Sequence, residues 1–236
     1  MQLPRFAFAL AIIAAALLLV AGPGTRLALW DFRTGFQLFT WAAFTGLAAA
    51  ASALVMLLVG RLRRAHGVML GVAILLGLGV AFVPWNGMRQ AKQVPPIHDI
   101  STDTTHPPAF VAILPLRAGA PNPATYGGAE IAQQQAKAYP DIRPYITDNA
   151  PSLVYDHALK LAHSMGWQIV ASDPGDGRIE ATDTTPWFGF KDDVVIRIEP
   201  AAGGSRVDMR SVSRVGQSDV GTNARRIRAF MQKLAQ

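Results

Sequence analysis

The chain has 236 residues, half of them hydrophobic, and a formal net charge of +6. It contains no cysteine, which excludes disulfides, thiolate metal sites and cysteine nucleophiles. Eight of the 22 basic residues but one of the 16 acidic residues lie at or before Lys92. The excess positive charge therefore belongs to the N-terminal part. The nearly neutral remainder lacks the basic footprint of a nucleic-acid-binding domain, so we expect no nucleic-acid partner.

Three apolar runs without charged residues lie in this N-terminal part, at residues 6–22, 36–60 and 67–85. A helix rises about 1.5 Å per residue, so the second run spans a hydrocarbon core of about 30 Å, and the other two do so with their flanks. The sequence predicts a membrane domain of three transmembrane helices over residues 1–92. The first run could instead be a cleaved signal peptide, although it lacks a good Ala-x-Ala cleavage site.

The short loop "RLRRAH", residues 61–66, carries the densest positive charge near the membrane. The positive-inside rule places this loop in the cytoplasm. It follows that the N-terminus is cytoplasmic and that the C-terminal domain is periplasmic, in a multi-pass protein of the cytoplasmic (inner) membrane. The spans lack the ionisable residues that pumps and transporters use, so they are typical of an anchor or a helix-packing surface.

The remaining residues form an extended Pro/Gly/Thr-rich segment, 93–129, and a soluble domain, 130–236. Hairpin-length, turn-rich connections join the predicted strands, which favours an antiparallel sheet. We predict an α+β fold with a four-stranded antiparallel sheet and helices packed on one side. The predicted strands are residues 167–172, 178–185, 193–200 and 205–214, and the predicted helices are 130–138, 151–165 and a last helix from about Asn223.

The segment "SRVGQSDVGTN", residues 213–223, has the glycine spacing of a phosphate-binding loop. Thr222 follows Gly221 directly, so the lysine that such a loop needs is missing. The segment is not a nucleophile elbow either, because Val220 stands where the second glycine of Gly-x-Ser-x-Gly belongs. We therefore predict no catalytic residue here.

Two arginines, Arg225 and Arg226, lie in the first turn of the last predicted helix, where positive charge opposes the helix dipole. Asp219 and Asp208 could compensate this charge, and so could a bound anion. Both alternatives indicate a polar site, either an anion site or a structural network. Its candidate residues are Arg214, Ser218, Asp219, Asn223, Arg225 and Arg226.

Two further candidates lie elsewhere. His98, Asp99 and Asp103 in "IHDISTDTTHPP" have side chains that can hold zinc or iron, but their spacing matches no compact metal motif, and Asp and Thr also form ordinary turns. We expect no metal there. Trp187 and Phe188 lie at a predicted hairpin tip, where they either bind a partner or a membrane surface, or fold under the loop as a small core.

Three stretches can be compared together: "IHDISTDTTHPPAF", "IEATDTTPWFGFKDDVVIRI" and "VDMRSVSRVGQSDVGTNARRIRAF". They resemble a family of bacterial and chloroplast proteins classed only as a domain of unknown function, family fourteen ninety-nine. The resemblance covers about residues 97–234, and three preceding apolar spans look like the arrangement of its bacterial members. It implies no established activity. Its most specific positions are Ser213, Arg214, Gly216, Ser218, Asp219, Gly221, Asn223 and Arg226.

These observations favour a non-catalytic, membrane-anchored accessory or assembly subunit of a larger membrane protein complex. Its expected partners are the lipid bilayer and other membrane subunits, and no cofactor is expected. One alternative is an extracytoplasmic binding module for an anionic ligand or a lipid headgroup. Another is a metal-dependent hydrolase that would use the histidine and aspartates near residue 100.

Overall fold

The computed structural model describes residues 2–236, which separate into two compact units. The first unit contains the residues up to Gln90 together with 186–189. The second contains 91–185 and 190–236. Most of the apolar N-terminal part therefore forms one unit, and the sheet with its helices forms the other.

The first unit consists of α1 (Leu3–Arg26), α2 (Phe32–Leu58) and α3 (Gly60–Ala91). All three are long and apolar enough to cross a membrane, which confirms three candidate spans in the described part of the chain. Each helix starts before its predicted apolar run. At α2 the cause is local, because the Asp31 carboxylate accepts the amides of Arg33 and Thr34 and so begins the helix ahead of the apolar residues.

Small side chains line the contacts among these helices. Buried alanines of α1, α2 and α3 form one cluster with Leu70. At another crossing, Gly46 of α2 faces Gly77 of α3 so closely that a Cβ on either residue would meet the backbone of the other. Within a membrane, lipid tails are as apolar as large side chains, so burying such side chains does not bring helices together. Close approach of small residues instead stabilises the helix contact through dispersion.

The second unit is built on an antiparallel sheet in the order β1–β6–β5–β4–β3, with β2 also paired to β6. Among the described residues the sheet has six strands rather than the predicted four, and the added strands, β1 and β2, contain three residues each. Segments this short show no period-two alternation from which a strand could be predicted. The strands are β1 (Asp99–Ser101), β2 (Tyr145–Thr147), β3 (Gln168–Asp173), β4 (Arg178–Thr184), β5 (Lys191–Ala201) and β6 (Gly204–Ser213).

One face of the sheet carries the main apolar core. The helices α5 (Pro151–Ser164) and α6 (Thr222–Leu234) pack against it, while α4 (Gly128–Ala138) precedes β2. Alternate residues of β5, including Val194 and Ile196, point into this core. The arrangement confirms the predicted α+β class with helices against an antiparallel sheet.

The other face of the sheet is covered by residues 102–127, which we call the strap. The strap contains a short 3-10 helix, Leu114–Arg117, and otherwise irregular backbone. Phe110 and Ile113 of the strap pack on Val195 of β5 and on β6. Around this small apolar contact, the covered face is lined by charged side chains.

Candidate functional site

The turn that precedes α6 contains Asp219, which caps the helix. Val220 and Gly221 both adopt left-handed backbone angles, with φ of 52° and 73°, so the chain reverses sharply there. This turn brings the Asp219 carboxylate to the amides of Gly221 (2.8 Å) and Asn223 (2.7 Å). Burial raises the pKa of Asp219, while these two backbone hydrogen bonds oppose the rise.

Arg226 lies in the first turn of α6 and is buried, with 6% of its surface exposed. Its Nε donates to Asp183 of β4 at 2.8 Å, and its Nη2 donates to Asp192 of β5 at 2.6 Å. Nη1 donates to the side chains of Ser211 and Asn223. The direct ion-pair partners of Arg226 are therefore two strand aspartates, in place of the expected Asp219 and Asp208.

The other residues predicted at this site have separate roles. The side-chain amide of Asn223 donates to the His98 carbonyl and to Ser213 Oγ, which ties α6 to the start of β1 and the end of β6. Arg225 is exposed and folds back onto the Val220 carbonyl and Thr222 Oγ1. Ser218 Oγ accepts the amide of Val220. At the start of α6 the amides of Gly221 and Asn223 already donate to a carboxylate, which makes this end of the helix a poor match for a second anion.

Arg214 belongs to a different cluster, on the strap side of the sheet, whose centre is Asp193. The Asp193 carboxylate is fully buried and accepts hydrogen bonds from Arg117 (2.6 Å), Arg214 (2.8 Å from both Nε and Nη2) and Thr182 (2.7 Å). Burial by itself would raise the pKa of Asp193, but the hydrogen bonds from Arg214, Thr182 and Arg117 hold it below its usual value. The cluster fastens the strap to three strands.

Asp99, a candidate of the second predicted site, forms a two-pronged ion pair with Arg210 of β6, at 2.9 and 2.8 Å. The Arg210 guanidinium lies over the rings of Phe110 and Tyr126, 5.2 and 5.4 Å from their centroids. It also donates to the backbone carbonyls of two strap residues, Pro108 and Ala124. Burial raises the pKa of Tyr126 to about 12. Asp99 is thus part of a buried ion pair that joins β1 to β6 and, through Arg210, to the strap.

Asp103 and His98 have other neighbours. Asp103 accepts the amides of Thr105 and His106, as a turn-forming aspartate does, and it contacts Arg206 at 2.9 Å. His98 Nδ1 lies 3.3 Å from the Gln217 carbonyl oxygen. Within residues 2–236 no group of three or more His, Cys, Asp or Glu side chains is arranged to hold a metal ion. The three candidates near residue 100 therefore do not converge.

Glu180 of β4 is a site residue that the sequence analysis missed. Its carboxylate has no exposed surface and accepts the amides of Val111, Ala112 and Ile113, at 2.9–3.1 Å. Arg178 Nε lies 3.1 Å from the same carboxylate. The sequence does contain a signal, because the alternation in "RIEATDTT" places this acidic residue on the second face of the sheet. The sequence analysis did not expect that face to be covered.

Trp187 and Phe188, the predicted loop-tip residues, belong to the first unit. The Phe188 ring lies 5.0 Å from the ring of Phe36 and 5.9 Å from that of Phe39, measured between centroids. Trp187 contacts α1 at Gly22 and keeps 42% of its surface exposed. Both aromatic side chains therefore contact helices of their own chain, and binding of a partner by this loop stays a prediction.

Taken together, the buried charged residues Arg117, Asp193, Asp99, Arg210, Arg226 and Asp192 pair across the sheet, the strap and α6. Such an arrangement stabilises one relative placement of these elements and leaves its carboxylates and guanidiniums occupied with each other. A comparison with curated proteins found no match. Residues 99–234 match the model of a family described as a protein of unknown function, DUF1499. That match spans more than half of the 236 residues, in agreement with the resemblance seen in the sequence, and the chain therefore belongs to this family.

Proposed function

We propose that this protein is a membrane-anchored, non-catalytic accessory or assembly subunit of a larger membrane protein complex. Its helices would bind a transmembrane helix of a partner subunit, and its second unit would present a rigid surface next to the membrane. The protein would work by holding other components in place, without turning over a substrate.

The observation that carries the proposal is a groove of about 440 Å³ on the outer surface of α2. Its lining combines the guanidinium of Arg33, a side-chain amide and a hydroxyl with three exposed aromatic rings, and these residues are Arg33, Gln37, Thr40, Phe36, Trp41 and Phe44. The exposed Gln37 carboxamide can hydrogen-bond a polar side chain of a neighbouring helix. Aromatic side chains also add large contact areas at protein interfaces.

The second unit supports the same role. Arg117, Arg210 and Arg226 are each less than one-tenth exposed, and each is paired with a buried or half-buried aspartate. Breaking such pairs is costly because a charge is left in a low-dielectric interior. These interactions favour a single stiff arrangement of the sheet, the strap and α6, which suits a domain that positions other proteins.

We further propose that the protein lies in the cytoplasmic (inner) membrane with its N-terminus in the cytoplasm and its second unit in the periplasm. The support is the positive charge at the start of α3, where three arginines lie within residues 61–64. An odd number of spans then carries the chain to the opposite side of the membrane.

The experiment compares a deletion strain with strains that express the full chain or single variants. In the deletion strain we expect one membrane complex to lose abundance or stability, without accumulation of a substrate. The full chain, purified in a mild detergent, should carry subunits of that same complex. Trp41→Leu and Gln37→Leu should reduce both the co-purification and the complex abundance. Trp85→Leu, which changes an exposed tryptophan on α3 outside the groove, is the matched control and should reduce neither.

Two results would contradict the proposal. One is a lone monomer in mild detergent together with unchanged membrane complexes in the deletion strain. The other is turnover of a substrate by the purified chain that Arg226→Ala or His98→Ala abolishes while the fold persists.

A further inference from the structure

A second groove lies on the first unit, where α1 passes the beginning of α3. Its volume is about 560 Å³, within the range of small-molecule sites. Phe8 of α1 and Val68, Met69 and Val72 of α3 provide an apolar wall. Arg64 and His66, which precede these residues on α3, line the same groove. One cavity therefore combines a cationic end with an apolar end.

The shape of the groove follows from a break in α3. The backbone leaves the helical region at His66, where φ is −137° and ψ is 15°, so a new helical stretch begins beyond it. Gly67 adds no side chain there, and a Cβ at this position would meet no atom within 4 Å. The new stretch also begins with the positive end of its helix dipole at the groove. The open volume at Gly67 therefore lies next to the positive end of this helical stretch.

The charge around this end of the helices has one sign. Arg61, Arg63 and Arg64 lie within a single turn of α3, and all three are exposed. Asp31, at the start of α2, is the one acidic residue before Asp99 in the sequence, so no carboxylate of α1 or α3 neutralises these arginines. A ligand for the groove should therefore bring negative charge to Arg64 and an apolar chain to Phe8 and Val72.

We propose that this groove binds one anionic phospholipid. Its headgroup phosphate lies at Arg64 and His66, and one acyl chain runs along Phe8, Val68 and Val72. A phospholipid joins a phosphate to acyl chains in one molecule, and the membrane supplies it at high concentration. A net negative headgroup is favoured because basic side chains near a membrane surface attract anionic lipids.

The test uses the full chain, delipidated in an uncharged detergent, and titrated with phosphatidylglycerol or with phosphatidylcholine of the same acyl chains. Native mass spectrometry counts the bound lipids and gives the ratio of the two affinities. We expect the first lipid to bind with about five-fold preference for phosphatidylglycerol, which corresponds to about 1 kcal/mol for one arginine. Arg64→Gln should remove most of this preference.

Arg63→Gln is the matched control, because it removes the same charge from the same turn but Arg63 does not line the groove. It should leave the preference nearly unchanged. Val72→Trp keeps every charge and fills the apolar end, and it should weaken binding of the first phosphatidylglycerol at least three-fold. Equal affinity of the wild-type chain for both lipids would overturn the proposal. So would an equal loss in Arg63→Gln and Arg64→Gln, or full binding by Val72→Trp.

Discussion

At the residue scale, the buried charged side chains within residues 99–234, the segment that matches the family, form ion pairs and hydrogen bonds with one another. The Asp193 carboxylate accepts hydrogen bonds from Arg117, Arg214 and Thr182. The Arg226 guanidinium donates to two aspartates, Asp183 and Asp192. A buried carboxylate costs several kcal/mol to desolvate and is tolerated when hydrogen bonds and opposite charges surround it. Removing one member of such a cluster should therefore cost more than removing an exposed ion pair.

We expect Asp193→Asn to lower the free energy of unfolding of the second unit by about 3–5 kcal/mol, because Arg117 then stays buried without its counter-charge. Denaturant titrations of the detergent-solubilised chain, read by hydrogen exchange of the β5 and β6 amides, measure this change. The control is Glu199→Gln on β5, since the Glu199 side chain is half exposed and its pair with Arg197 should contribute at most about 1 kcal/mol. Equal effects of the two variants would contradict the prediction.

Asp219 should matter for a different reason from the one expected from the sequence. Asp219→Ala should destabilise the start of α6 by about 1–2 kcal/mol, because the amides of Gly221 and Asn223 lose their acceptor. Faster exchange of the amides in residues 221–225 measures the effect. A change of only a few tenths would show that water replaces the carboxylate at no cost.

The two aspartates should also respond to acid with opposite signs. The folded pKa of Asp193 lies below 3.8, so its stabilisation is complete above the unfolded pKa and is lost as the pH falls through the folded pKa. The folded pKa of Asp219 lies above 3.8, so the folded state binds the proton first and gains stability as the pH falls toward 3.8. As the pH falls from neutral toward 3.8, the free energy of unfolding of the wild-type chain should therefore rise relative to that of Asp219→Asn. Denaturant titrations at each pH measure this difference.

At the scale of elements, β6 organises the second unit because three segments pair with it. β5 lies along one side, and β1 and β2 share the other side, at opposite ends of β6. The long strands β4, β5 and β6 could be predicted, since alternation and turn residues mark them. The two short strands could not, because their existence depends on the edge that β6 offers and on three residues apiece.

In the first unit, the crossing of α2 and α3 gives a direct test. Gly77→Leu should separate these helices and lower the melting temperature of the detergent-solubilised chain, because its Cβ would collide with the Gly46 backbone. Gly71→Leu on the same helix is the matched control, since a Cβ there meets no atom within 4 Å. Size-exclusion chromatography after stepwise heating measures both variants. A tolerated Gly77→Leu, or an equally damaging Gly71→Leu, would contradict the packing at this crossing.

At the scale of the whole molecule, charge is divided sharply along the chain. Eight of the 22 basic residues and one of the 16 acids lie at or before Lys92, while the rest is nearly balanced. Lys and Arg residues close to the ends of transmembrane helices influence membrane orientation, whereas the charges of the second unit do not. The proposed topology rests on how the N-terminal positive charge clusters, with three arginines within residues 61–64.

The absence of cysteine allows a clean test of that topology. With only the outer membrane permeabilised, Ala136→Cys in α4 should react with a membrane-impermeant maleimide, because α4 would lie in the periplasm. Ala65→Cys, next to Arg64 at the start of α3, should react only after the cytoplasmic membrane is broken. Both alanines are exposed in the structure, so access depends on the side of the membrane. The reverse pattern would invert the proposed orientation.

The sequence by itself determined the three apolar spans, the α+β class of the second unit, its longer strands and the family to which it belongs. These features depend on hydrophobic length, on alternation and on turn residues, which act over a few positions. The tertiary structure alone decided that the strap covers the second face of the sheet, and that Glu180 and Asp193 hold it there. Arg117 and Asp193 are 76 positions apart, and no local pattern encodes which buried charges meet over such a separation. Their pairing depends on strand register and on which segment covers the sheet.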